Sequence, residues 1–178
     1  MAQIFSNVDA PYGFLLYRNT GKVAPYRTTR AVVATRTDAI FRGDALNTAA
    51  GVTIRQVAGS DVTGICEDLV LAPQPGIAEG VVSQYYINTT EAGSCIVIED
   101  TDALFKVQAT TAAATDVETA ADLVNTDGDT TLGNSKQELN GAAYGATGQF
   151  MLEDLVKGGG LINDWGSNAD VVVRIVNL

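Results

Sequence analysis

Paired carboxylates are the residues of this chain whose type and spacing could do chemistry. Glu67–Asp68, Glu99–Asp100–Asp102 and Glu153–Asp154 each bring acids within a few positions of one another. Two carboxylates flanking a glycosidic bond can hydrolyse it, one as acid and the other as base or nucleophile. Each group also lies at a strand edge or turn, where charges discourage edge-to-edge pairing. The other catalytic sets are not assembled. The chain has no histidine, which removes Ser-His-Asp and Cys-His catalysis, His-bearing zinc sites and the commonest general base. Cys66 and Cys95 sit in the apolar runs GICEDLVL and GSCIVIE; they read as small buried hydrophobes with free thiols.

Three short motifs invite ligands and do not complete a site. NTDGDTT (125–131) suggests calcium, but no register puts Gly at position six and Glu at twelve of an EF-hand loop. KGGGLIND (157–164) lacks both phosphate-loop spacings and reads as a turn. NTT (88–90) meets the glycosylation sequon without a secretory signal. Trp165, the single Trp, suits a sugar platform, an interface anchor or a rim aromatic. No catalytic residue, metal ligand, cofactor or cofactor-binding residue is assigned, and the protein is expected to be non-enzymatic.

Size and composition say what must position such residues. A chain of 178 residues suits one domain, burying about 70% of its unfolded surface. Its 19 Val, 10 Ile and 19 Thr fit pleated sheets, and 18 Gly supply turns. Net charge is −10, unevenly spread. Residues 1–55 hold seven basic and three acidic residues, whereas 56–178 hold four and eighteen. An acidic body repels phosphates, so nucleic acid is not an expected partner; the basic leading third could complement an acidic surface. The opening MAQIFSNVDAPYGFLLYRN has no early Lys or Arg, and Asp9 and Pro11 interrupt its apolar residues. Neither a leader nor a membrane span is expected.

Along the chain, period-two and β-branched runs predict strands at 28–36, 51–58, 62–72, 80–88, 93–100, 103–110, 149–156 and 169–178. Gly64 marks a bulge, and IEDTDALF reads as a hairpin turning on Asp100, Thr101 and Asp102. TDVETAADLV combines Thr115 and Glu118 at capping-box spacing with Val117, Ala120, Ala121 and Val124 on one helical face. The expected fold is mainly β: a single-domain β-barrel or β-sandwich with one short helix at about 115–124. Residues 1–30 form an extended N-terminal arm or first strand, and 31–178 a β-rich body with a long polar loop at 125–148. Pro11 and the clustered Tyr12, Phe14, Leu15, Leu16 and Tyr17 suit an arm or edge strand; alternatively, Phe14 and Leu16 plug the body's own barrel.

Read in order, PYGFLLYRNTGKVAPY (11–26), DAIFRGDAL (38–46), GVTIRQVAGSDVTGICEDL (51–69), EDTDALFKVQA (99–109), DVETAADLV (116–124) and NDWGSNADVVVRIVN (163–177) resemble the capsid decoration, or cement, proteins of tailed bacteriophages. The collinear order carries the resemblance; no single motif does. It implies a virion protein made in the bacterial cytoplasm that sits on the outer surface of an icosahedral head. Its partners would be the major capsid protein and itself, as a homotrimer or dimer, clamping neighbouring subunits of the expanded shell. The aromatic cluster beside the basic excess nominates Pro11, Tyr12, Phe14, Leu15, Tyr17, Arg18, Lys22, Arg27 and Arg30, with Trp165, as capsid or protomer contacts. A virion-displayed carbohydrate-binding or host-adhesion module, using Trp165 or the 125–148 loop, is the alternative.

Overall fold

Runs of β-branched and aromatic residues form strands, as their shape on a pleated surface demands. A computed structural model of the chain describes residues 7–20, 24–34, 36–49, 52–56, 59, 61–71, 86–157 and 163–176. The strands are β1 (Leu15–Asn19), β2 (Arg27–Val32), β3 (Ala45–Ala49), β4 (Val52–Arg55), β5 (Gly64–Leu71) and β6 (Gly93–Ile98). They continue with β7 (Ala103–Ala112), β8 (Ala120–Ala121), β9 (Leu123–Val124), β10 (Glu138–Leu139), β11 (Phe150–Leu155) and β12 (Gly166–Ile175). The strand expected at 80–88 lies mostly outside the described residues; within it, Ile87 bridges Ile40.

A seven-stranded sheet runs β8-β11-β12-β7-β10-β9, with β1 added beside β7. Its first and last strands, β8 and β9, are separated only by Asp122. The sheet therefore nearly closes into a barrel. Phe105, Val107 and Ala109 of β7, Phe150 and Leu152 of β11, and Val171 and Val173 of β12 fill its interior. A five-stranded sheet, β2-β6-β5-β3-β4, joins it. Ala45, Ile65 and Ile98 from the second sheet enter the barrel's core, while Leu46, Cys66, Cys95 and Val97 form a smaller core with Val32, Ile40 and Ile87. Both cysteines are free and buried. The mainly β, single-domain architecture is thus the expected one.

Three local expectations are corrected. Residues 115–124 do not form a helix. The Asp116 N–H donates to Ala113 O at 2.9 Å, closing a 3₁₀ turn at Ala114–Asp116, and the Asp116 carboxylate accepts from the Ala113 N–H at 2.7 Å. Glu118 then adopts φ +65°, outside any right-handed helix. Beyond it, Ala120 and Ala121 pair with Met151 and Phe150. Small side chains that line a helical face equally permit close sheet packing, and here the open flank of β11 takes them up. Second, IEDTDALF is a crossover between sheets, since β6 belongs to one and β7 to the other. Its turn chemistry holds: the Asp100 carboxylate accepts from the N–H groups of Tyr26 and Asp102 at 2.8 and 3.1 Å. Third, the ladder irregularity in β5 falls between Cys66 and Asp68, not at Gly64. The 125–148 stretch contributes β10, which pairs parallel with β7.

The N-terminal segment passes from the outside of the barrel to its inside within a few residues. Before the crossing, the Gln108 side chain, on the outer face of β7, donates to Val8 O at 2.8 Å and accepts from Ala10 N at 3.1 Å. Tyr12 donates to Asp170 Oδ1 at 2.8 Å, and Lys106 Nζ lies 4.8 Å from its ring centroid. Gly13 then turns the chain at φ +72°, where a Cβ would stand 2.4 Å from Ser135 Cβ and 2.7 Å from Gly43 O. Only glycine meets both demands. Phe14, 1% exposed, enters the core and stacks on Phe150 with ring centroids 4.4 Å apart. The chain resurfaces at once as β1.

Candidate functional site

Immediately after the buried Phe14, the sequence LLY meets solvent: Leu15, Leu16 and Tyr17 are 39%, 36% and 41% exposed. A strand normally buries alternate residues, so three consecutive exposed apolar side chains mark a surface, not a core strand. β1 pairs antiparallel with β7 from Leu15↔Lys106 to Asn19↔Ala103, with a register break between Leu16 and Arg18. Among the described residues no strand pairs with its other flank. Among the described residues it is an edge strand with apolar side chains, anchored at its start by Phe14. Thr20 ties its far end, donating from N and Oγ1 to Asp102 O at 3.0 Å.

Beside β1 a groove of about 630 Å³ runs over the outer face of the barrel, lined by Tyr17, Arg18, Leu104, Asp154, Val172 and Arg174, among others. Leu104 and Val172 give it an apolar floor. Its rim charges are largely matched: Arg174 bonds Glu153, and Lys157 reaches Asp154 at 2.8 Å. The Lys157 hydrogen bond first, then the Leu155 N–H and the charges of Lys157 and Arg18, hold Asp154 below the usual carboxylate range. Arg18 makes no close ion pair among the described residues, though its charge acts on Asp154 across the groove.

The nominated contact residues separate into three groups. Leu15, Tyr17 and Arg18 come together on the exposed edge. Pro11, Tyr12 and Phe14 do not: the first two are half-buried against the barrel, and Phe14 is core. Burial and the neighbouring Asp170 push the Tyr12 phenol pKa up, keeping it a neutral hydrogen-bond donor. Of the two plugs considered for the barrel, Phe14 serves and Leu16 does not. Arg27 and Arg30 carry partners within the fold, Glu67 and Glu99; each guanidinium is raised in pKa chiefly by that hydrogen bond. Trp165 is half-buried and packs against the barrel core. Lys22 lies outside the described residues.

The paired carboxylates are likewise distributed among structural tasks. Glu67, Glu99 and Glu153 bind arginines, Asp154 binds a lysine, and Asp100 caps a turn. In NTDGDTT, Asp129 accepts from the N–H groups of Thr131 and Leu132 and pairs with Lys136. Those backbone bonds hold its pKa low. Among the described residues no cluster of three or more His, Cys, Asp or Glu is placed to hold a metal ion.

Two features escaped the sequence reading. Leu16 belongs to the exposed edge, and the signal was present: apolar residues at three successive positions after a Gly cannot all face one core. The other is a buried pair, Asp44 and Arg55. Arg55 Nε lies 3.6 Å from Asp44 Oδ1, Nη1 lies 3.3 Å from Asp127 Oδ1, and Nη2 donates to Thr126 O. Asp44 Oδ2 accepts from Phe41 N at 2.8 Å. Oδ1 and Nε, facing each other, have no hydrogen-bond partner among the described residues. Burial raises the Asp44 carboxyl to about 6 against the opposing pull of Arg55. The pair ties β4 to the 125–135 segment. No family model, curated protein or solved structure matches this chain.

Proposed function

We propose that the protein is a non-enzymatic virion structural protein that binds the outer surface of an icosahedral phage head and clamps neighbouring major capsid subunits. The observation that carries this reading is the exposed edge strand, with Leu15, Leu16 and Tyr17 turned to solvent. Rigidly anchored apolar side chains lose little further entropy on association, so their burial contributes more of its roughly 25 cal/mol per Å² to binding. The flank of β1 that no described strand pairs adds main-chain donors and acceptors for an extended segment of a neighbour. The register break at Tyr17 limits how long a strand can dock, which disfavours indiscriminate pairing. Repetition around a symmetric shell would multiply a weak contact into firm attachment.

The collinear resemblance to decoration proteins supports the same reading and the expectation of a homotrimer on the particle. Arg27 and Arg30 have carboxylate partners within the chain, so the contact rests on apolar surface and Arg18 more than on the basic excess. The test uses substitutions that leave the core intact. Leu16→Glu and Tyr17→Asp should leave the circular dichroism spectrum and melting temperature near wild type. They should lower occupancy on purified heads at least tenfold, measured by co-sedimentation and cryo-electron microscopy. Wild-type occupancy for both folded variants would overturn the reading.

A further inference from the structure

We propose that residues 87–91 form a strap over the smaller core, latched by the Arg36 guanidinium. The carbonyls that hold Arg36 make a guanidinium-binding site, which the free ion fills when the side chain is removed. This goes beyond the proposed function and holds whatever the protein binds.

The strap closes the smaller core from outside. Ile40 and Ile87 exchange N–H···O bonds, each at 2.9 Å. Both side chains are fully buried, in the cluster that also holds Cys66 and Cys95. Ile87 fits tightly against the start of β6, where a Cβ on Gly93 would stand 3.1 Å from its Cδ1. Among the described residues the bridge to Ile40 is the only ladder contact that the strap makes. Its remaining carbonyls need donors from elsewhere.

Arg36 supplies them. Nη1 donates to Glu91 O at 2.9 Å and to Val33 O. Nη2 donates to Asn88 O at 2.5 Å and to Ile87 O at 3.1 Å, and Nε to Asp38 O at 3.4 Å. The Arg36 main-chain N–H adds a bond to Thr89 O at 3.1 Å. A guanidinium carries five N–H donors in a fixed fork. Here every one meets a main-chain carbonyl, three on the strap and two on the stretch that leaves β2.

Hydrogen bonds from a charged donor are stronger than neutral ones, and a part-buried carbonyl that loses its donor is costly. The latch therefore resides in one side chain. A Lys ammonium has three donors on one atom and cannot serve five separate acceptors. Removing the side chain altogether leaves carbonyls turned toward a space of guanidinium shape, and the free ion brings the same planar N–H groups. The barrel has its own core, so the strap opens as a local unit while the barrel stays closed.

The buried thiols report the opening. The full chain, Arg36→Ala and Arg36→Lys are exposed to N-ethylmaleimide under native conditions, and adducts are followed by mass spectrometry. Cys66 and Cys95 should react at least tenfold faster in Arg36→Ala than in wild type. Sub-denaturing guanidinium chloride should restore most of the protection, and sodium chloride at equal concentration should not. Arg36→Lys should resemble Arg36→Ala. Hydrogen exchange should speed at the Ile40 and Ile87 amides and stay slow in β7 and β12. Wild-type thiol protection in either variant would overturn the proposal. So would equal rescue by both salts, no rescue by guanidinium, or loss of protection in β7 and β12 together with the strap.

Discussion

The barrel interior and the seam around Asp44 are both closed to water, yet they are held by opposite means. Inside the barrel, Phe14 stacks on Phe150 among Val, Leu and Ala side chains. At the seam, Asp44, Thr53, Arg55, Gln56, Ser135 and Gln137 are buried together. Gln137 spans it, accepting from Ala45 N at 2.7 Å and donating to Gln56 O at 3.0 Å. Apolar burial is nondirectional and tolerates approximate fit. A buried charge is costly unless its partners stand in place, so the seam specifies how the 125–135 segment docks more than it stabilises the fold.

The largest effect should come from the apolar side. Phe14→Ala removes a fully buried ring and its stacking partner contact, and should cost about 3–5 kcal/mol in denaturant unfolding. A cost below about 1 kcal/mol would mean that the crossing segment does not hold the barrel. For the same reason, truncation through residue 17 would disturb the fold as well as remove exposed edge residues.

At the seam, the single and paired changes should diverge. Arg55→Met leaves Asp44 buried without its counter-ion and should cost about 3 kcal/mol or more. Adding Asp44→Leu should restore most of that loss, because two matched apolar groups replace two charges. Additive losses in the double variant would show that the seam's geometry, not its charge balance, is what matters.

The smallest effect is a pH dependence carried by Asp44. Its folded pKa of about 6 lies above the value near 3.9 of an unfolded aspartate, so the folded state binds the extra proton between them. Stability from this group is fully present below about pH 4 and is lost as pH rises through 6. The drop is at most about 3 kcal/mol by linkage. Asp129 and Asp154, whose pKa values are lowered, act in the opposite sense. The measurement is therefore the difference in unfolding free energy between wild type and Asp44→Asn from pH 4 to 7. Wild type should lose ground to the variant across that window; a flat difference would remove Asp44 from the account.

Legibility followed the same division. The strands of the barrel were readable because Phe105, Val107 and Val171–Val173 repeat at the period their burial requires. In GVTIRQVA the period was readable but the face was not. Ile54 is exposed, while Thr53 and Arg55 turn inward. The inward face of β4 meets Asp44 and the 126–127 backbone, partners that no local pattern announces. At 115–124 the apolar positions fitted a helix and a strand about equally. The free flank of β11 and the left-handed Glu118 selected the strand.

By itself the sequence determined the mainly β class, the absence of histidine chemistry and the special character of PYGFLLY. These follow from composition and spacing, which are local properties of the chain. Tertiary structure alone decided which rings that motif buries. Gly13, pressed against Ser135 and Gly43, turns Phe14 into the barrel and leaves Leu15, Leu16 and Tyr17 outside. It also decided that Arg55 is core, and that Cys66 and Cys95, 29 positions apart, share one face. Each of these depends on a partner distant in sequence, and side-chain type cannot specify a neighbour that only the closed fold supplies.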